Sequence, residues 1–189
     1  YFTAVYDVVE PEGCTPIHCR LREAVQDALF VDNIDFTLPQ FSTIVLTQGE
    51  ILINKYIKIV GPGADQLAVS AGFTDPALPE NPQDGYRVFH IYNDEDPVTA
   101  SISGLTIRDG RGFEGGGIFV DEDAELILTD CQIGPNNIVS YAGGGISTDE
   151  ADLTMTNCTV IDNHGTGSEG GAGIYVDDSN LTIINSTIT

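Results

Sequence analysis

The chain has 189 residues and carries seven Lys and Arg against 29 Asp and Glu, a formal net charge of −22. That balance argues against binding to nucleic acid or an anionic membrane. It suits a solvated outer surface, a high-salt medium or divalent cations. No run of about eighteen apolar residues is present, so the sequence predicts no membrane span. Nor does a signal peptide open it, so an exported form is expected here in its mature state.

In chain order, residues 1–9 predict a strand. Cys14 and Cys19 follow, and then residues 21–30, where Leu21, Ala24, Val25, Ala28 and Leu29 recur at helical spacing. This is the one helix expected, and its task is to cover the strand edges of the first turn of whatever follows. Strands are expected at 34–38, 43–47, 51–54 and 56–60, a tight turn at 61–65, and a strand at 67–70. Residues 72–86 hold Pro76, Pro79 and Pro82 and read as a loop. Residues 87–93 and 99–107 return to strand.

The rest is one pattern written three times. Gly115-Gly-Gly-Ile-Phe-Val returns as Gly143-Gly-Gly-Ile-Ser-Thr and as Gly171-Ala-Gly-Ile-Tyr-Val, so that Ile118, Ile146 and Ile174 are 28 residues apart. An acidic turn and two short alternating strands follow each copy. A fixed period in this range with three strand-like pieces and no helical stripe predicts a parallel β-helix. The expected architecture is all-β, with three strands per rung and about six rungs. One capping helix in residues 1–33 precedes a continuous solenoid in 34–189. Stacking the copies aligns five inward columns. They are Ile118/Ile146/Ile174, Leu126/Leu153/Leu181, Leu128/Met155/Ile183, Leu105/Cys131/Cys158/Ser186 and Ile107/Ile133/Val160/Ile188.

Residues 19–25 (Cys-Arg-Leu-Arg-Glu-Ala-Val), followed by Ile59-Val-Gly-Pro-Gly-Ala-Asp65 and Ile102-Ser-Gly-Leu-Thr-Ile107, resemble the CSLREA-type N-terminal domain. That domain precedes right-handed β-helix repeats in secreted bacterial and some archaeal surface proteins. The Gly-Gly-Gly-Ile copies are similar to repeats of polymorphic outer-membrane proteins and adhesins. Arg20 stands where the family usually has Ser. The resemblance implies a fold and a cell-surface or extracellular location, and it brings no catalytic residues with it.

Several side chains are candidates for chemistry. Cys14 and Cys19, in a context resembling exported proteins, read as a disulfide, with two unpaired thiols as the other reading. Cys131 and Cys158 stack in one inward column at roughly 4.8 Å, where their Cβ atoms lie beyond the ~3.8 Å a bridge prefers, so a buried thiol ladder is expected. Asn136 and Asn163 hold the same offset and are expected to stack as a structural amide pair. Asp121, Asp123, Asp149, Glu150, Asp177 and Asp178 recur at the period of the repeat, where stacked carboxylates could take up calcium. Hydrated carboxylates on exposed turns are the plainer reading. No other cofactor is implied. Asn157, Asn180 and Asn185 head Asn-X-Thr sequons.

An enzyme is not expected. Neither an ordered set of acids nor aromatic platforms show at the outward positions, which read as Thr and Gly. The functional expectation is therefore a secreted structural or adhesive surface element, with a glycan- or calcium-binding adhesin module as the alternative and a polysaccharide lyase or hydrolase behind both. Leu181, Ile183 and Ile188 close the sequence inside a core column. This predicts either a longer surface protein or head-to-tail association with a second copy, in which Phe2, Val5 and Val8 donate a strand. Self-assembly into a filament is the reading preferred here.

Overall fold

The computed structural model describes residues 2–4, 19–29, 32–73, 85–165, 167 and 170–189. The strands pair in parallel and stack turn upon turn. A first sheet of seven strands runs from Phe2–Ala4 and Asn33–Phe36 through Ala124–Thr129 and Asp152–Thr156 to Asn180–Ile184. A second sheet of six runs from Ser42–Val45 to Thr187–Ile188, and a third of five from Ile51–Ile53 to Ile174–Asp177. From Asn33 onward the chain visits the three sheets in rotation. It completes five turns and adds the first two strands of a sixth.

The inward columns hold in register. Ile118 pairs with Ile146 and Ile146 with Ile174; Leu126 pairs with Leu153 and Leu153 with Leu181; Ile133 pairs with Ile107 and Val160. Alternation along each strand puts these side chains in the interior, so Val98–Ser103 alternates between buried and half-buried positions. Like residues stack on like, and a slip of one residue would turn a whole column to solvent.

The turns between sheets are set by stacked left-handed residues. One corner holds Gly104, Asp130, Asn157 and Asn185, with φ between 50° and 60°. Another holds Asp109, Asn136 and Asp162, with φ between 51° and 63°. Asn and Asp tolerate this conformation because their short polar side chains bond locally. Asn157 Nδ2 donates to Asp130 Oδ1 (3.1 Å), and Asn136 Nδ2 to Asp109 Oδ1 (3.2 Å). At the Gly-Gly-Gly segments the constraint is also one of space. A Cβ on Gly116 would stand 2.8 Å from Gly144 O and from Ile138 N.

The helix spans Leu21–Asp27 and buries Leu21, Ala24 and Val25 in the same apolar cluster as the first turns. It is shorter than the sequence predicts, because Ala28 turns to an extended ψ of 134°. Leu29, expected on the apolar face, is instead 74% exposed. Arg22 pins the helix by donating to Glu50 O and Gly49 O (2.6 Å each), and Lys55 Nζ caps its carboxyl end by donating to Gln26 O (2.8 Å).

Two features differ from expectation. The last three complete turns carry a fourth strand, at Arg111–Glu114, Ile138–Ala142 and His164–Gly165, which forms a separate three-stranded sheet. The stacked amides are Asn137 and Asn163, because Ile138 pairs with His164. The segment from Ile133 to Asn137 is one residue longer than that from Val160 to Asn163, which shifts the offset read from the sequence. Asn137 is fully buried; its Oδ1 accepts from Gly110 N (2.9 Å) and its Nδ2 donates to Ile107 O (3.1 Å).

Candidate functional site

Outward positions of the first two sheets are mostly small or polar, with Val45, Val60, Ile127 and Ile184 as apolar exceptions. The third sheet is different. Its outward ladder runs Leu52, His90, Phe119, Ser147, Tyr175, each paired with the next across neighbouring turns. The inserted fourth sheet lies just before the third in each turn and adds Phe113 and Tyr141. Phe113 is 53% exposed, and its ring stacks on Tyr141 at 4.8 Å with 5° between planes. Tyr141 meets Tyr175 edge-on at 6.5 Å. His90 stacks between Tyr92 (5.6 Å) and Phe119 (5.3 Å), and the Arg87 guanidinium sits 4.7 Å over the Phe119 ring. The expectation that outward positions lack aromatic platforms is thus wrong for this sheet. Phe119 and Tyr175 occupy the position that Ser147 holds between them.

Polar groups hold this aromatic row in place. His90 Nδ1 lies 3.2 Å from Glu50 Oε1 and its Nε2 lies 3.3 Å from Asp121 Oδ2, so one ring bridges carboxylates from the turns below and above. Arg87 Nε pairs with Glu50 Oε2 at 3.1 Å. Burial pushes the Glu50 carboxyl up, but the hydrogen bond from His90 and the charges of Arg87, His90 and Arg22 outweigh it and leave the group below its ordinary value. Glu114 shifts the other way. Burial raises it, the charge of Asp149 adds to the rise, and Arg87 opposes it. Asp149 is raised by burial and then by Asp177 and Asp121.

The six acidic-turn residues therefore divide. Asp121, Asp149 and Asp177 continue the third sheet and border the aromatic row; Asp149 pairs in register with Asp177. Asp123, Glu150 and Asp178 take left-handed conformations, with φ of 57°, 46° and 38°, and line a shallow open cleft with Glu125 and Asp152 on the far side of the corner. Among the described residues, no three His, Cys, Asp or Glu side chains converge in a way that could hold a metal ion. The corner explains the recurrence of Asp123, Glu150 and Asp178, since these three turns each place a left-handed residue there.

The remaining candidates are placed as follows. Cys19 is buried, while Cys14 lies outside the described residues, as do Val5 and Val8. Phe2 belongs to a strand that pairs with Asn33–Phe36 of its own chain, so its backbone is already engaged there. Leu181, Ile183 and Ile188 are 38%, 41% and 46% exposed. Cys131 and Cys158 are free, buried thiols. Arg111 packs over the Phe73 ring (5.2 Å), Arg108 pairs with Asp109 (3.1 Å), and His164 is exposed on the fourth sheet. Among the described residues no helix is long and apolar enough to cross a membrane.

A clue to the aromatic row was present in the sequence. Phe113 and Tyr141 are 28 residues apart, as are Phe119, Ser147 and Tyr175. The signal is masked in the sequence because the glycine-rich segment 115–117 and its repeats separate the two sets of aromatics.

A family model described as the right-handed beta helix region matches residues 81–189. No curated protein and no solved structure matches the chain. Right-handed beta helix regions occur in enzymes, pectate lyases among them, and in non-enzymes. The match covers more than half of the sequence and spans the later in-register turns, so the chain belongs to the right-handed beta helix family.

Proposed function

We propose that this chain is an adhesive module of an extracellular surface protein, holding an extended glycan along its third sheet without cleaving it. The observation that carries the reading is the row of Phe113, Tyr141 and Tyr175, backed by His90 and the buried Phe119 under Arg87 and bordered by Glu114, Asp121 and Asp149. Aromatic faces offer flat apolar area with specific stacking geometry, and carboxylates accept hydrogen bonds from hydroxyls. Rungs repeat at ~4.8 Å, so the row presents a line of contacts suited to a chain ligand more than to a single small molecule. The net charge of −22 disfavours polyuronates and favours neutral or amine-bearing sugars.

The experiment is a glycan array probed with the full chain, with and without calcium, followed by calorimetry on the hits. Binding to neutral or amino-sugar oligomers that falls at least tenfold in Tyr141→Ala supports the reading. Binding unchanged in that variant, or chain shortening of the bound glycan, refutes it. If calcium is required, the acidic turns belong to the site as well.

Head-to-tail association is a second reading, supported by the exposure of Leu181, Ile183 and Ile188 on the last strands. These side chains are open to a further turn, whether supplied by the same polypeptide or by a neighbouring copy. A concentration-dependent mass in light scattering that is abolished by Ile183→Asp supports the copy; a monomer at all concentrations refutes it. The disulfide between Cys14 and Cys19 and the kinship with CSLREA-type surface proteins belong to this extracellular reading.

A further inference from the structure

Cys131 and Cys158 play no part in the binding face. We infer that these two thiols form a two-coordinate site for a soft monovalent cation of the copper(I) or silver(I) class, held between adjacent turns in the solenoid interior.

The geometry comes from the stack. Gln132 pairs in register with Thr159, and Thr159 N donates to Cys131 O (2.9 Å), so Cys158 stands directly above Cys131 in one inward column. Both are reduced and only 2% and 1% exposed. Each thiol donates to a backbone carbonyl of its own turn, Cys131 Sγ to Thr129 O (3.3 Å) and Cys158 Sγ to Thr156 O (3.3 Å). Neighbouring turns hold such residues ~4.8 Å apart. A disulfide needs sulfurs at about 2.05 Å and Cβ atoms near 3.8 Å, which an in-register parallel pair resists. Two metal–thiolate bonds of the ~2.3 Å length found for zinc, laid end to end, span about 4.6 Å, close to the rung spacing. Soft thiolates select copper(I) over hard cations. A rung spacing of ~4.8 Å thus suits S–metal–S better than S–S.

Charge fits as well. The charged group acting on Cys158 is Asp130, which favours a cation. Interaction with Cys131 holds the Cys158 thiol below its ordinary value while the same interaction and burial push Cys131 up, so the first proton leaves from Cys158 and the second leaves only as the metal displaces it. Binding releases two protons, forms two metal–sulfur bonds and requires no oxidant. Ser186, next in the column, is small and half-buried, and its Oγ accepts from Cys158 N (2.9 Å).

The test is titration of the full chain with silver(I), read by native mass spectrometry and thermal unfolding. The expected result is one tightly held ion per chain, a raised melting temperature, retention of that ion in Cys14→Ser/Cys19→Ser, and its loss in Cys158→Ser. Because a core variant can fail to fold, X-ray absorption on the wild-type silver complex gives an independent reading, with two sulfur neighbours expected. The inference is overturned if the folded chain binds no silver or Cys158→Ser binds it equally. It also fails if the coordination differs from two sulfurs, or if the untreated chain lacks a hydrogen pair because a Cys131–Cys158 disulfide has formed.

Discussion

The middle and the last turn of this solenoid use the same residue types in the same columns and reach opposite outcomes. Leu126 is fully buried, whereas Leu181, two turns on in the same column, is 38% exposed; Ile133 is fully buried and Ile188 46% exposed. The core-column residues are of the same type in both turns. A turn of about 28 residues is too thin to bury its own apolar face, so burial is supplied by the turn stacked above and below. The first turn has such cover from the helix, through Leu21, Ala24 and Val25.

The largest test of that comparison is a pair of truncations. Leu126→Ala is expected to cost about 2–5 kcal/mol, as deletion in a closed core does. Leu181→Ala, already partly in water, should cost less than about 1 kcal/mol. Chemical denaturation measures both, and equal losses would show that the last turn is covered in solution.

Buried amides sharpen the contrast at the next level. Asn137→Ala leaves Gly110 N and Ile107 O without their partners inside the core, a loss of about 1–3 kcal/mol. Asn163→Ala, one turn on and half-buried with one such bond, is expected to cost less in the same assay.

Corners come third. Asn157 sits at φ 54°, so Asn157→Val should cost roughly 1–2 kcal/mol through the left-handed penalty, while Asn157→Gly should be close to neutral.

The smallest effect is pH dependence on the third-sheet face. Glu114 and Asp149 have folded-state values raised above the unfolded ones, so the folded chain binds protons more readily than the unfolded chain there. Lowering pH from neutral toward the ordinary carboxylate range should therefore raise the melting temperature. Glu114→Gln should flatten that slope. Glu50 is depressed and acts oppositely: its contribution is present above the ordinary carboxylate value and is lost as pH falls through its folded value, which ends the rise.

Much of this was legible from spacing alone. Every inward column read from the 27- and 28-residue intervals stands in register, since the repeat fixes both period and alternation. The fourth sheet was not legible, because Arg111–Glu114 and Ile138–Ala142 mix glycine, charge and apolar residues with a register shift between Gly112 and Glu114. The amide ladder was misplaced by one residue for the same local reason. The acidic turns read as a single cluster in sequence, yet the left-handed backbone at Asp123, Glu150 and Asp178 turns them away from Asp121, Asp149 and Asp177. A motif spacing carries the stacking of turns but not the side of a corner on which a side chain falls.

The most direct test of the binding-face account is amide hydrogen exchange on the full chain, with and without a glycan identified on the array. The account predicts new protection confined to the segments around Phe113–Glu114, Phe119–Asp121, Tyr141 and Tyr175. Protection at Asp123, Glu150 and Asp178, on the first two sheets, or on the exposed edge at Leu181–Ile188 in place of these segments would contradict it.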